Sequence, residues 1–303
     1  MIRTSIFLKD GRLRPVLRAL VFFPVFFLIL IPFLIVSGLV GKFGSHPGSS
    51  FLSFTVFELA VLGALLTATL LLRRFVDRRS IESLGFTFSR AWFKLLLIGV
   101  AVGVVIQSSV FLLELSLGYL RINSLSPLQG TLAFLALTLV FWLAAAAVEE
   151  IGLRGYLFQN LWEEFGPVPA AIATALFFGA LHLGNPNAHA QAALTVTGIA
   201  LYGLLACWIV VLTRSLWLAI GVHCAWNICE GPVYGFAVSG LKTPSLIDQT
   251  GSGPDWFTGG AFGPESGAIM VVPLALGTLL IYALHRLGVF SDLPDTREAY
   301  AKT

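Results

Sequence analysis

Charge is what this sequence has least of. Only 12% of its 303 residues are Asp, Glu, Lys or Arg, where a soluble domain carries about 25%. With 57% apolar residues and a mean hydropathy of +0.87, that deficit excludes a soluble enzyme or binding module and leaves a polytopic membrane protein. Cysteine is scarce as well. The three, Cys207, Cys224 and Cys229, all fall in apolar segments, where a free thiol behaves as a small hydrophobe. No disulfide framework follows, and Cys224-x4-Cys229 is too loose for a metal site. An H-E-x-x-H ligand pair is missing. No internal repeat, inverted symmetry or linker is visible, so the chain reads as one domain over 1–303, with its motif core at about 131–236. The net charge of +3 is a topology signal, and no nucleic-acid partner is expected.

What is present is a series of apolar runs, each near the roughly 20 residues that a spanning helix needs. They are Ala19–Leu39, Phe54–Leu72, Phe93–Leu117, a fourth from Thr131, Val168–Leu183, Ala192–Leu212, Leu216–Phe236 and Gly267–Leu284. The first exceeds a signal-peptide core in length and is not closed by a small-residue cleavage site, so it is expected to stay as a span. The fold class is therefore all-α, a helix bundle of about eight transmembrane helices. Threading it with both termini inside puts sixteen of the nineteen Lys and Arg on the cytoplasmic side. Only Lys42, Arg121 and Lys242 then fall outside, a strong positive-inside bias for N-in and C-in.

Against this background the adjacent carboxylates Glu149-Glu150, with Arg154 after them, stand out. An ionisable side chain in hydrocarbon costs about 2.5–3.5 kcal/mol on insertion scales and marks a functional site by default. Candidate partners are His182, His223 and Asn227 in later apolar runs. Continuing the fourth helix to about Gln159 or Asn160 places Glu149 roughly 16 Å above its cytoplasmic end at about 1.5 Å per residue. The same arithmetic puts His182 about 21 Å above Val168, and His223 and Asn227 about 10 and 16 Å above Leu216. The polar groups of three helices thus reach overlapping depths. Glu150 and Arg154 are i,i+4 and can pair, which leaves Glu149, about 100° around the helix, to face a cavity. Phe178 and His182, and His223 and Asn227, repeat the i,i+4 spacing.

These three stretches, Glu149-Glu150-Ile151-Gly152-Leu153-Arg154, Phe178-Gly179-Ala180-Leu181-His182 and His223-Cys224-Ala225-Trp226-Asn227, resemble the motifs of the CPBP intramembrane proteases. That group includes the type II CAAX prenyl endopeptidases, bacteriocin-processing proteins and abortive-infection membrane proteins. The resemblance covers about Val148 to Asn227 and implies peptide hydrolysis inside the membrane. It makes Glu149 and His182 the residues that activate a water, and His223 and Asn227 the oxyanion donors. Glu150, Arg154 and Phe178 become supporting residues. No cofactor is implied by this reading. Zinc held by two His and a Glu is the less favoured alternative, because Asn227 is a poor zinc ligand and a good oxyanion donor.

The expected partners are the lipid bilayer and a peptide or membrane-protein substrate, lipidated or not. The expected location is a bacterial plasma membrane, multi-pass, with the site opening to the cytoplasm. Alternatives are a proton-coupled transporter that uses the carboxylates as a relay, and a non-catalytic immunity or scaffold member of the same family. The Gly/Ser/Pro-rich loop Val238–Glu265 reads as a connector on the outer side. Gly99-x3-Gly103 and Gly231-x3-Gly235 read as close helix packing, and Gly152 and Gly155 as places where a neighbour comes near.

Overall fold

Leu, Val, Ala and Phe dominate every long run, so each run hydrogen-bonds its backbone internally as a helix, the economical answer to a solvent with no water. The computed structural model describes residues 6–9, 11–43, 50–88, 91–126 and 131–290. A short hairpin, β1 (Leu8–Lys9) with β2 (Arg12–Leu13), leads into α1 (Pro15–Phe43), α2 (Ser50–Leu71) and α3 (Trp92–Ser116). β3 (Leu120–Leu125) precedes α4 (Thr131–Glu149), which continues through π-helical turns at Glu150–Leu157 into α5 (Phe158–Phe165). Then come α6 (Pro167–Leu181), α7 (Ala192–Thr213), α8 (Leu216–Ile228), β4 (Ile247–Gly251), the single turn α9 (Asp255–Thr258) and α10 (Val271–Arg286). Gly166 at φ 87° breaks the chain between α5 and α6, and Pro167 restarts it at the first helical position, where its missing N–H costs nothing.

Among the described residues seven helices are long and apolar enough to cross a membrane, so the protein is an integral, multi-pass, all-α bundle. The expected span Leu216–Phe236 is the exception. It forms only the 13-residue α8, extended by π-helical turns at Cys229–Val233. Every residue from Leu216 to Asn227 is buried, as expected of a helix that is apolar all round. α8 crosses against α3 at backbone distance. A Cβ at Gly99 would lie 3.0 Å from Gly221 Cα, and one at Gly103 would lie 2.9 Å from Ala225 Cβ. The second glycine pair does not pack helices as expected. Gly231 lies in the π-helical turns and Gly235 lies beyond them at φ 77°, a turn conformation.

The helices alternate between two chemically distinct ends. One is basic. There Arg18 and Arg79 reach Glu163 at 3.4 and 2.7 Å, Arg14 pairs with Glu164, and Arg73 meets the fully buried Asp77 at 2.8 Å. Tyr156 donates to the same Asp77 (3.0 Å), and Phe86, Phe88, Trp92 and Trp217 form an aromatic cluster at this level. Lys9, Arg12, Arg74, Arg78, Lys94, Arg214 and Arg286 belong to elements of this end. At the opposite end β3 pairs antiparallel with β4, with a bulge between Ile122 and Ser124, and the described basic residues are Arg121 and Lys242. Arg3, Arg90, Arg297, Lys302 and the side chain of Lys42 lie outside the described residues.

The loop Val238–Glu265 is therefore not a plain connector. It contributes β4, donates from Gly240 N–H to Phe262 O (2.7 Å), and is tied to the α6–α7 loop by Asn185 Nδ2 to Ser239 O (3.1 Å) and Gln191 Nε2 to Asp255 O (2.9 Å). Within it Trp256 stays 59% exposed, available to an interface where Trp is favoured.

Candidate active site

The fourth helix was expected to run on past the carboxylates, and it does, to Phe165. What the spacing did not reveal is that Glu150–Leu157 is π-helical. Such widened turns are rare and concentrate at functional sites. Here the widening brings Glu150 and Arg154 wholly inside the bundle, both at 0% exposure, with Arg154 Nη1 donating to Glu150 Oε1 at 3.1 Å. Gly152 and Gly155 admit neighbouring side chains: a Cβ at either would lie 3.1 Å from Leu65 Cδ1 and Leu216 Cδ1 respectively.

His223 stands between the two carboxylates. Its Nδ1 lies 2.9 Å from Glu150 Oε1 and its Nε2 lies 3.5 Å from Glu149 Oε2. A carboxylate oxygen only accepts, so Nδ1 carries the proton in the shorter contact and Nε2 is turned to Glu149 and the cavity. His182 caps the end of α6, with Nδ1 2.9 Å from the Phe178 carbonyl. That carbonyl can only accept, so the Nδ1–H is fixed there and Nε2 is the nitrogen left for chemistry. Phe178 joins the two parts. Its ring meets His182 edge-on at 4.6 Å and carries the Arg154 guanidinium over its face at 4.3 Å, an arrangement favoured by the ring quadrupole.

Glu149, His182, His223 and Asn227 all line one cavity of about 200 Å³. Glu149 is 33% exposed in its side chain, and its Oε2 has no hydrogen-bond partner among the described residues. Glu150 and Arg154 sit behind the wall, where Glu150 Oε1 serves both Arg154 and His223. A carboxylate oxygen, two imidazole nitrogens and an amide converging on a small space inside a bundle can take a proton from water and place donors on a developing oxyanion.

The cavity also takes in polar residues that belong to none of the three motifs, among them Glu58, Tyr202, Ser239 and Glu265. Glu58 is the only charge in the Phe54–Leu72 run, so the rule that singled out Glu149 applied to it equally. Glu265 comes from the long loop. It accepts from Ser239 N–H (2.7 Å), Ser239 Oγ (2.6 Å) and Trp226 Nε1 (3.1 Å), bonds over long sequence distances that no local pattern announces.

The cavity lies toward the end of the bundle that carries the β3–β4 pair. Its loop residues, Asn185, Val238, Ser239, Leu241 and Glu265, belong to the β3–β4 end. The expectation of an opening to the cytoplasm rests on depths counted from one end of the spans. It took α5 to stop at Gln159 or Asn160, whereas the helix runs to Phe165 and lifts Glu149 farther from that end.

No curated protein matches the chain. Residues 131–229, from the start of α4 to just beyond Asn227, match the family described as type II CAAX prenyl endopeptidase Rce1-like. That match spans about a third of the chain, contains all three motifs, and is to the protease family that those motifs resemble.

Proposed function

We propose that this protein is an intramembrane endopeptidase that hydrolyses a peptide bond without a metal, the whole chain serving as one membrane domain. The observation that carries the reading is the convergence of Glu149, His182, His223 and Asn227, from three separate spans, on one cavity. The family match supports a peptidase acting on peptide or protein substrates in the bilayer. Lipidated and unlipidated peptides both suit a cavity between helices, and a bacterial plasma membrane suits the N-in, C-in charge bias.

In the proposed reaction Glu149 takes a proton from a water that His182 Nε2 helps to hold. The water oxygen attacks the scissile carbonyl carbon, and the electron pair moves to the carbonyl oxygen. His223, when its Nε2 carries a proton, and the Asn227 amide donate to that oxyanion, an effect worth about 3–4 kcal/mol per donor in a preorganised site. Collapse breaks the C–N bond, and the proton held by Glu149 passes to the leaving amine. Glu150 fixes His223 through Nδ1, and Arg154 balances the Glu150 charge.

The metal-free form rests on residue type: the Asn227 amide in the cavity is a poor zinc ligand and a good oxyanion donor. The test is cleavage of a mixed panel of lipidated and transmembrane peptides by purified wild type, Glu149→Gln and His182→Ala, with and without a strong zinc chelator. Cleavage lost in both variants and kept under chelation is expected. Loss under chelation overturns the metal-free mechanism, and cleavage surviving both substitutions overturns the site.

A further inference from the structure

The two ends of the bundle differ in charge, and the cavity belongs to one of them. Arginine pairs and an aromatic cluster mark the basic end, which the positive-inside bias assigns to the cytoplasm. The loop residues that line the cavity, Asn185, Val238, Ser239, Leu241 and Glu265, all come from the other end. His182, just past the last residue of α6, lies toward that end too, and Asn227 sits in the last turn of α8.

Toward the basic end the way is closed. Below the carboxylates Ile151, Tyr156, Phe158, Leu216, Leu218 and Ile220 are at most 1% exposed, and beneath them lie Arg18, Arg73 and Asp77, at most 2% exposed and linked through Asp77. Packed interiors of this kind hold few voids as large as a water. Toward the β3–β4 end the lining reaches the surface, with Leu241 45% exposed and Asn185 half-buried.

We infer that the cavity is entered from the extracytoplasmic face. Its substrates are then peptide segments of exported or membrane-inserted chains that reach that face, rather than tails displayed in the cytosol. This rests on the peptidase reading for the word substrate, but the side of entry follows from the fold and the charge bias without it.

The experiment labels single-cysteine variants in sealed vesicles of known sidedness with a membrane-impermeant thiol reagent, a maleimide for loops and a small charged methanethiosulfonate for the cavity. Leu241→Cys and Asn185→Cys report the rim, Glu149→Cys the cavity, and Glu82→Cys the exposed basic end. The three native cysteines are buried, so wild type sets the background. The expected result is labelling of the rim and cavity cysteines from the extracytoplasmic face, and of Glu82→Cys only from the other. Rim or cavity labelling from the Glu82 side overturns the inference, as does a Glu149→Cys cavity that labels from neither face while the rim cysteines report a folded protein. Labelling needs no turnover. An inactive protein labelled from outside refutes the peptidase reading and leaves the side of entry standing.

Discussion

Replacing Glu150 by Gln isolates what the buried ion pair does. The substitution keeps the side-chain shape and one acceptor oxygen but removes the charge that faces Arg154. Arg154 is completely buried, and Glu150, at 3.1 Å, is its salt-bridge partner among the described residues. The rings of Phe178 and Tyr202, 4.3 and 5.7 Å from the guanidinium, solvate a cation weakly. Leaving a buried charge uncompensated costs about 3–5 kcal/mol, whereas replacing both members by apolar groups of like volume is often neutral. Glu150→Gln is therefore expected to lose about 3–5 kcal/mol and Arg154→Met less, since His223 still faces Glu150, while the double variant, with a neutral amide in place of the pair, is expected to lose less than the sum. The coupling between the sites is then about 3 kcal/mol or more, at or above the top of the range for contacting pairs. Equilibrium unfolding of the detergent-purified proteins measures it. A Glu150→Gln variant that loses less than about 1.5 kcal/mol, the lower limit for a hydrogen bond to a charged group, refutes the reasoning, as does a double variant whose loss equals the sum of the singles. Activity separates the roles, because the double variant is expected to be stable and yet slowed: the amide offers His223 Nδ1 a neutral acceptor in place of the carboxylate, and that hydrogen bond is weaker than the charged one.

Three other expectations follow from the same geometry. Phe178→Leu removes a guanidinium–ring contact at 4.3 Å and an edge contact with His182 at 4.6 Å; a loss of about 1–2 kcal/mol and a fall in kcat larger than the change in KM are expected, and an unchanged kcat contradicts it. Gly198→Ala sets a methyl against the Glu265 carbonyl, a backbone atom that cannot step aside. It should cost about 1–3 kcal/mol and speed proteolysis within 238–265, and an unchanged digestion pattern counts against that packing. Glu265→Gln removes the charge behind the two Ser239 bonds, worth about 1.5–3 kcal/mol each; faster hydrogen exchange at Ser239 is expected, and unaltered protection contradicts it.

The site was legible in the sequence to the degree that its chemistry is expensive. Glu149, Glu150 and Arg154 stand out because charge is rare in apolar runs, and the i,i+4 spacing foretold the Glu150–Arg154 pair that the structure contains at 3.1 Å. Helical phase also placed Phe178 beside His182, and their rings touch. Glu58 obeys the same rule but belongs to none of the three motifs. Other features were out of reach. The widening of the helix at Glu150–Leu157 adjusts hydrogen bonds without altering the residue pattern. α8 is short because neighbours surround it, and a hydropathy run does not distinguish lipid from protein as its apolar surroundings. Glu265 joins the cavity through bonds to Trp226 and Ser239, 39 and 26 residues away. Those loop contacts decide which end of the bundle the cavity lies toward, and helix depths alone do not show them.

The most direct test of the central claim is peptide cleavage in water enriched in heavy oxygen, followed by mass spectrometry of the products from wild type and Glu149→Gln. One solvent oxygen is expected in the new carboxyl terminus from wild type. The variant, deprived of the group that takes the water's proton, is expected to slow by about 10²–10⁴-fold. A Glu149→Gln protein that cleaves at the wild-type rate contradicts the claim that this carboxylate, in this cavity, drives hydrolysis.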